Sequence, residues 1–217
     1  MDDILDSIEP EINLTGAEIF TEIWLNPRTV FKFINENQYE KYLIILFILA
    51  GISNSIDRAV FRDAGDDLSL EVILLMSIFL GGLLGWISYY IYAALLSWTG
   101  KWLDGKADTK SILRVCGYAT IPTSIALIFV MVQIYFSGIG YFQTEGFIYY
   151  ENSMEEYIIW ASLISEFILG IWSMIFFIVG ISEVQGFSLS RAAVNLFLPI
   201  VIIGIPLLML FFMLGLF

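Results

Sequence analysis

Five long stretches of mainly apolar residues most constrain what this chain can fold into. Hydrophobic residues make up 59% of its 217 positions and charged residues only 15%, whereas a soluble domain is typically about half apolar and a quarter charged. A membrane-spanning helix needs about 20 mainly apolar residues. Five segments qualify: 42–56 with a short extension on each side, 70–98, 112–137, 157–182 and 192–217. The sequence therefore predicts an all-α fold, a polytopic membrane helical bundle with five transmembrane helices in a lipid bilayer. The first span is short and is expected to borrow length from residues 39–41.

The distribution of basic residues predicts the orientation of this bundle. Eight of the ten Lys and Arg residues lie before the first span or in the second and fourth loops: Arg28, Lys32, Lys41, Lys101, Lys106, Lys110, Arg114 and Arg191. The other two, Arg58 and Arg62, lie among aspartates in the first loop. Because Lys and Arg concentrate on the cytoplasmic side of membrane proteins, we predict that the N-terminus is cytoplasmic and the C-terminus outside.

The first 38 residues read as an acidic arm that precedes a transmembrane domain at 39–217. Residues 1–15 are acidic and are expected to be mobile, and residues 16–25 have the apolar spacing of a short amphipathic helix. Asn26 is expected to cap the next helix, with Pro27 in its first position. The aromatic face of that helix suits the membrane interface or the end of the bundle itself, and the two interpretations are compatible.

Several classes of function conflict with the composition. A net charge of −12 argues against nucleic acid as a partner, since phosphate backbones are bound by clustered Lys and Arg. The chain has no His, which removes Ser–His pairs and imidazole metal sites. The single Cys116 reads as a packing residue, and the N-terminus lacks the positive region of a signal peptide. We therefore predict a protein that is not an enzyme, with no cofactor and no metal site.

Glu166 is the sharpest candidate for chemistry inside the membrane. It lies about nine residues into the fourth span, roughly 13 Å below the outer boundary at 1.5 Å per residue. Placing a carboxylate inside the membrane costs on the order of 2.5 kcal/mol or more, so such a residue is by default a candidate for a functional site. Ser162, Gln133 and Asn54 are polar residues expected in the same outer half. This set predicts a site for an ion, a proton or a lipid headgroup, or else a polar contact that joins helices.

Other features predict helix contacts. Glu183 lies near the cytoplasmic end of the fourth span and is expected to form a structural ion pair with Arg114 or Arg191. Small residues recur every four positions in the second span, which lets another backbone approach closely; they are Ser77, Gly81 and Gly85. Pro199 and Pro206 are expected to kink the fifth span, where broken helices sometimes line a binding site.

The start of the third span carries a family motif. Gly117-Tyr118-Ala119-Thr120-Ile121-Pro122 resembles the Gly-Tyr-x-x-x-Pro element of the Yip family, the Ypt/Rab-interacting membrane proteins and their bacterial relatives. Two further stretches are similar to the bacterial branch. One is Asn26-Pro27-Arg28; the other runs from Ile171-Trp172-Ser173 through Ile181-Ser182-Glu183-Val184-Gln185-Gly186-Phe187-Ser188 to Arg191-Ala192.

The resemblance implies a five-span fold with the same orientation as the charge count. Eukaryotic members associate with Rab GTPases and with one another in vesicle traffic. Here Trp24-Leu25-Asn26-Pro27 replaces their Asp-Leu-Tyr-Gly-Pro element, which points to the bacterial branch, to the bacterial inner membrane, and to no Rab partner.

Two functions follow as hypotheses. The first is a protein that organises membrane or protein partners, including homo- or hetero-oligomers, through its cytoplasmic face; the residues assigned to it are Asn26, Pro27, Lys106, Gly117, Tyr118, Pro122 and Glu183. The second is a transporter or a lipid- or ion-binding protein that uses a polar cavity around Glu166. A structural subunit with no small-molecule site is a third possibility.

Overall fold

The computed structural model describes residues 13–144 and 153–214, and all regular secondary structure in these two ranges is helical. The α-helices, in chain order, are α1 Gly16–Glu22, α2 Pro27–Glu36, α3 Leu43–Phe61, α4 Leu70–Met76, α5 Gly82–Lys101, α6 Thr109–Ala119, α7 Ile121–Ser137, α8 Ser153–Gln185 and α9 Leu189–Met213. A π-helical turn, Ser77–Gly81, joins α4 to α5. Two 3₁₀ turns, Ala64–Asp66 and Gly138–Phe142, lie at the opposite end of the bundle from α1 and α2.

Five of these helical segments are long and apolar enough to cross a membrane. They are Leu43–Phe61, Leu70–Lys101, Thr109–Phe142, Met154–Gln185 and Leu189–Leu210, so the prediction of a five-span all-α bundle is confirmed. The third span is central, with 56% of its most apolar window buried, and the fifth is peripheral, with 18% buried.

The first span differs from its prediction in where it finds its length. Helix α3 begins at Leu43, directly after Tyr42, so it does not reach back over 39–41. It continues instead through Asn54, Asp57 and Arg58 to Phe61. Charged residues near a span end can extend their polar groups to water, and a helix satisfies its own backbone hydrogen bonds as it leaves the bilayer. These two facts explain why a polar stretch remained helical.

The N-terminal helices pack onto the bundle. Thr15 and Glu18 form a capping box at the start of α1, which satisfies two backbone N–H groups that have no partner within the helix. Pro27 occupies the start of α2 as predicted, but the side chain of Asn26 does not cap the helix and donates to Glu22 at 3.0 Å instead. The apolar face of α2 is buried: Val30, Phe31, Phe33 and Ile34. The interpretation of α2 as a helix packed on the bundle is thus confirmed, whereas the expected mobility of the arm concerns mainly residues 1–12, outside the described ranges.

Two apolar cores lie at the two ends of the molecule. The inner core joins α1, α2, α3, α5, α6, α7, α8 and α9. Its largest fully buried members are Ile19, Ile23, Phe31, Ile34, Leu96, Ile112, Tyr118, Phe176 and Ile181. The smaller outer core consists of Ile56, Ile73, Val130, Ile134, Tyr141 and Phe142. Many large apolar side chains are exposed on the protein surface between and around these cores, as expected where lipid is the solvent.

The helices of the first two spans approach very closely. A Cβ atom built on Gly51 would overlap the backbone of Gly81 and Gly85. The predicted role of the small residues of the second span is therefore confirmed, and Gly51 is their partner. The two prolines of the fifth span do not interrupt it, because α9 is one continuous helix that contains both Pro199 and Pro206.

The segments that carry most of the basic residues share one end of the bundle. Arg28 contacts Glu183, and the backbone N–H of Lys106 donates to Gln185 O at 3.3 Å. These contacts bring α2, the α5–α6 loop and the α8–α9 turn together. We call this the inner end, and it is the end predicted to be cytoplasmic. At the outer end the third loop meets the first, where Thr144 donates to Asp66 at 2.8 Å.

Candidate functional site

The family-like motif of the third span marks a break between two helices. Helix α6 ends at Ala119 and α7 begins at Ile121, with Pro122 in its first turn. At this break, side-chain hydroxyl groups donate to backbone carbonyl groups. The hydroxyl of Thr120 donates to Gly117 O at 2.7 Å, and Ser173 of α8 donates to Ala119 O at 2.7 Å. A side chain of the fourth span therefore holds the broken third span in place.

Gly117 and Tyr118 pack this break into the inner core. A Cβ atom at Gly117 would overlap the side chain of Leu43, so glycine allows α3 to lie against α6. Tyr118 is 0% exposed, and its ring centroid lies 6.3 Å from that of Tyr39. Pro122 is buried as well. These three motif residues thus shape the end of the bundle from inside.

A buried polar network joins the α5–α6 loop to α8 and α9. Gln185, which is 1% exposed, accepts from the backbone N–H of Ala107 at 3.0 Å. Its amide also donates to Leu96 O at 3.5 Å and to Asn195 at 3.4 Å. Asn195 in turn donates to Thr99 Oγ1 at 2.9 Å. Buried polar groups that satisfy one another fix the relative positions of the elements they join.

The sequence alone did not predict this network, although Asn195 lies inside the fifth apolar run and Gln185 in a family-like stretch. The available signal was the pair of amide side chains at the inner ends of adjacent spans, where an unpaired amide would be costly. Gly100 and Gly105 belong to the same arrangement, because a Cβ atom on either would overlap the Gln185 side chain.

Glu183 forms an ion pair, but not with the predicted partners. Its carboxylate lies 3.7 Å from Arg28 Nε, whereas Arg114 binds Glu40 at 3.1 Å. Arg28 also donates to the Ser182 hydroxyl at 3.5 Å. Helix α2 packs against the fourth span, and its Arg28 supplies the positive charge that pairs with Glu183. Helix α2 is therefore fixed to the end of α8 by polar contacts as well as by its apolar face.

The remaining family-motif residues differ in exposure. Asn26 and Lys106 are exposed, and Pro27 and Glu183 are partly buried. Asp108 caps α6 by accepting from the backbone N–H of Ser111 at 2.8 Å, and this bond lowers the pKa of its carboxyl group. Among the described residues, no group of three or more His, Cys, Asp and Glu side chains is arranged to hold a metal ion.

The outer half of the bundle brings together part of the predicted intramembrane site. Gln133 is 0% exposed, and its amide donates to the Glu166 carboxylate. Ser162 is buried on the same face of α8, but its hydroxyl donates to Ile158 O in its own helix at 2.9 Å.

Asn54 belongs to a neighbouring polar recess. Its amide donates to the Tyr89 hydroxyl at 2.9 Å. It also lines a cavity of about 190 Å³ between the first two spans, together with Ser55, Arg58 and Ser88. The contacts described for the four predicted residues therefore join Glu166 with Gln133, while Asn54 faces a cavity beside α5.

Comparison with protein families gave one finding. Residues 21–211 match the family model described as the Yip1 domain, a range that includes all five spans and α2. Comparison with curated proteins gave no match, and neither did comparison with solved structures.

Proposed function

The chain belongs to the Yip1 domain family, and from this premise we propose that it is a non-enzymatic integral membrane protein that organises membrane or protein partners through its cytoplasmic face. The observation that carries the proposal is the construction of the inner end. There α2, the α5–α6 loop and the α8–α9 turn are joined into one surface by Arg28–Glu183 and by the Gln185 network. A preformed surface binds a partner without a large ordering cost.

The side chains exposed on this surface suit an acidic or amphipathic partner. Lys101, Lys106 and Arg191 are exposed there, and so is Trp102, with 56% of its surface accessible. Arginine and tryptophan are enriched among the residues that dominate binding energy. Gly117, Tyr118 and Pro122 are buried, so their part in this function is to set the shape of the surface. The bacterial inner membrane remains the proposed location.

Site-specific photocrosslinking tests the proposal. A photoreactive amino acid in place of Trp102 should give discrete adducts in cells, because this position lies on the proposed contact surface. The same substitution at Tyr135, which is 82% exposed at the outer end, is the matched control and should give none. The double variant K101E/R191E should remove the Trp102 adducts. Equal adducts at both positions, or none at Trp102, would refute a partner at the inner end.

Cysteine labelling tests the orientation on which this function depends. The native thiol, Cys116, is buried, so it contributes little background. We expect R62C to react with a membrane-impermeant maleimide in intact cells and K101C to react only after permeabilisation. The reverse pattern would contradict the charge-based orientation, and the cytoplasmic assignment with it.

A second candidate function is ion or lipid handling at Glu166. The observation that favours it is the carboxylate–amide pair with Gln133 inside the span, since ionisable residues at this depth commonly belong to ion or proton pathways. The test is uptake of protons or Na⁺ into proteoliposomes. Uptake that E166Q abolishes, while the thermal stability of the protein is kept, would support the candidate. No uptake by the native protein would leave the pair as a contact between α7 and α8.

A further inference from the structure

A polar cavity of about 610 Å³ opens at the inner end, between the end of α2 and the start of α6. Three basic residues line it: Lys106, Lys110 and Arg114. The neutral side chains of Asn35 and Gln38 line the facing side, from α2 and the turn that follows it. The cavity thus presents cationic donors on one wall and amide groups on the other, which is a chemistry suited to an oxyanion.

Arg114 is the buried residue of this site, held in place by hydrogen bonds. The residue is only 5% exposed, and its guanidinium donates to Glu40 at 3.1 Å and to Ser111 Oγ at 3.2 Å. Its Nε is buried and has no hydrogen-bond partner among the residues that the structure describes. A buried donor of a charged group is costly when it is left unsatisfied. A bound oxyanion that reached this nitrogen would supply the acceptor that it lacks.

The charges around the cavity favour an anion. Its lining contains three cationic side chains and one carboxylate, that of Asp108, which is already engaged with the backbone N–H of Ser111. Glu40 adds a second negative charge next to Arg114, so the balance stays positive. The cavity also lies at the N-terminal end of the 11-residue helix α6, whose dipole favours negative charge.

We propose that this cavity binds the phosphate group of an anionic ligand, and that the headgroup of an anionic phospholipid is its source. The position favours the lipid: α6 begins the third span at Thr109, so the cavity lies at the depth of the headgroups. The proposal rests on the proposed function and deepens it, because it names the chemistry that the cytoplasmic face recognises. Lys106 and Lys110 attract the anion, and Arg114 fixes a phosphate oxygen through its planar donors.

Binding of soluble short-chain lipids to the purified full chain tests the proposal. The probes are dihexanoyl phosphatidylglycerol, dihexanoyl phosphatidylcholine and inorganic phosphate, with the dissociation constant measured by thermophoresis at two salt concentrations. We expect phosphatidylglycerol to bind at least tenfold more tightly than phosphatidylcholine. Binding should weaken as salt rises, because the two lysines are exposed and their charges are screened.

Two double variants distinguish lipid binding at this cavity from a general effect of surface charge. K106Q/K110Q removes both exposed lysines of the cavity and should weaken phosphatidylglycerol binding about 10- to 30-fold, at roughly the energy per basic residue known near anionic membranes. K41Q/R62Q removes the same charge from exposed positions that do not line the cavity, and should change affinity less than twofold. Equal losses in the two variants would overturn the proposal, and so would the absence of any anion preference in the native protein.

The remaining outcomes identify the source of the phosphate and separate this site from the proposed function. Inorganic phosphate that binds alone and displaces phosphatidylglycerol at micromolar concentration would support a phosphate site filled by a soluble ester. Lipid binding that persists when Trp102 gives no crosslinks would support the cavity while the partner surface fails. Crosslinks at Trp102 without any anion binding would overturn the cavity alone.

Discussion

At the inner end, eight helices share one apolar core, whereas at the outer end a small core is supplemented by the Gln133–Glu166 pair. The difference reflects the solvent. The inner core lies beneath helices α1 and α2 and the α5–α6 loop, where water drives apolar burial. Within hydrocarbon that drive between helices is absent, and close approach and interhelical hydrogen bonds take its place. The Gly51–Gly81–Gly85 contact and the Gln133–Glu166 pair are of that second kind.

Two buried glutamines, one at each end, allow this comparison to be tested with the same change, Gln to Leu. Gln185→Leu at the inner end keeps the approximate volume but removes the acceptor of Ala107 N–H and the donor to Leu96 O. Leu96 O keeps its bond from Asn195, but Ala107 N–H and Asn195 Oδ1 would be left buried without this partner. We therefore expect the free energy of unfolding to fall by about 3 kcal/mol. The measurement is an SDS titration of the protein in bicelles. A loss below about 1 kcal/mol would mean that the network contributes little to the inner end.

Glycine substitutions compare a packed position with an open one. Gly117→Val adds atoms where Leu43 already lies, so we expect a loss of about 2 kcal/mol from overpacking. Gly204→Val is the matched control in α9, where nothing lies within 4 Å of a new Cβ atom, and its effect should stay within about 0.5 kcal/mol. Similar losses for the two variants, measured in the same titration, would show that the inner core is looser than its packing indicates.

Gln133→Leu is the outer counterpart of Gln185→Leu. It removes the amide that donates to Glu166, and interhelical hydrogen bonds in membranes average about 0.6 kcal/mol. We therefore expect a loss of about 1 kcal/mol or less, clearly smaller than that of Gln185→Leu. The difference between the two variants is the quantity of interest. An equal loss would indicate that hydrogen bonds carry the same weight at both ends.

The sequence predicted the parts of the fold that depend on composition along the chain. The five spans follow from apolar length, and the approach of the second span to a neighbour follows from the four-residue spacing of Gly81 and Gly85. Each of these signals is local, so a single chain contains it in full. The forward extension of the first span escaped prediction because Asp57 and Arg58 resemble a loop, although a helix at the membrane surface tolerates both.

The candidate site was harder to predict because its pairs are distant along the chain. The sequence predicts that Glu183 pairs with Arg114 or Arg191, the basic residues of neighbouring loops. In the structure Arg28 pairs with it from the N-terminal helix α2. The Gln185–Asn195 network likewise needs three segments to be placed before its partners are known. Residue type indicated which side chains would seek a partner, and only the packing of α2, α6, α8 and α9 decides which one each finds.

The smallest expected effect concerns the ion pair at the inner end. Glu183→Gln removes the charge opposite Arg28, whose side chain is 61% exposed and lies 3.7 Å away. Exposed pairs contribute about 0.2–1 kcal/mol, because water screens them, so we expect a loss in that range that shrinks as salt rises. Unfolding titrations at low and high salt measure it, with Glu36→Gln on the exposed side of α2 as the control for net charge. A loss above about 2 kcal/mol that salt does not change would mean that the pair is shielded from water, and that polar contacts as well as the apolar core determine how firmly α2 is held to the bundle.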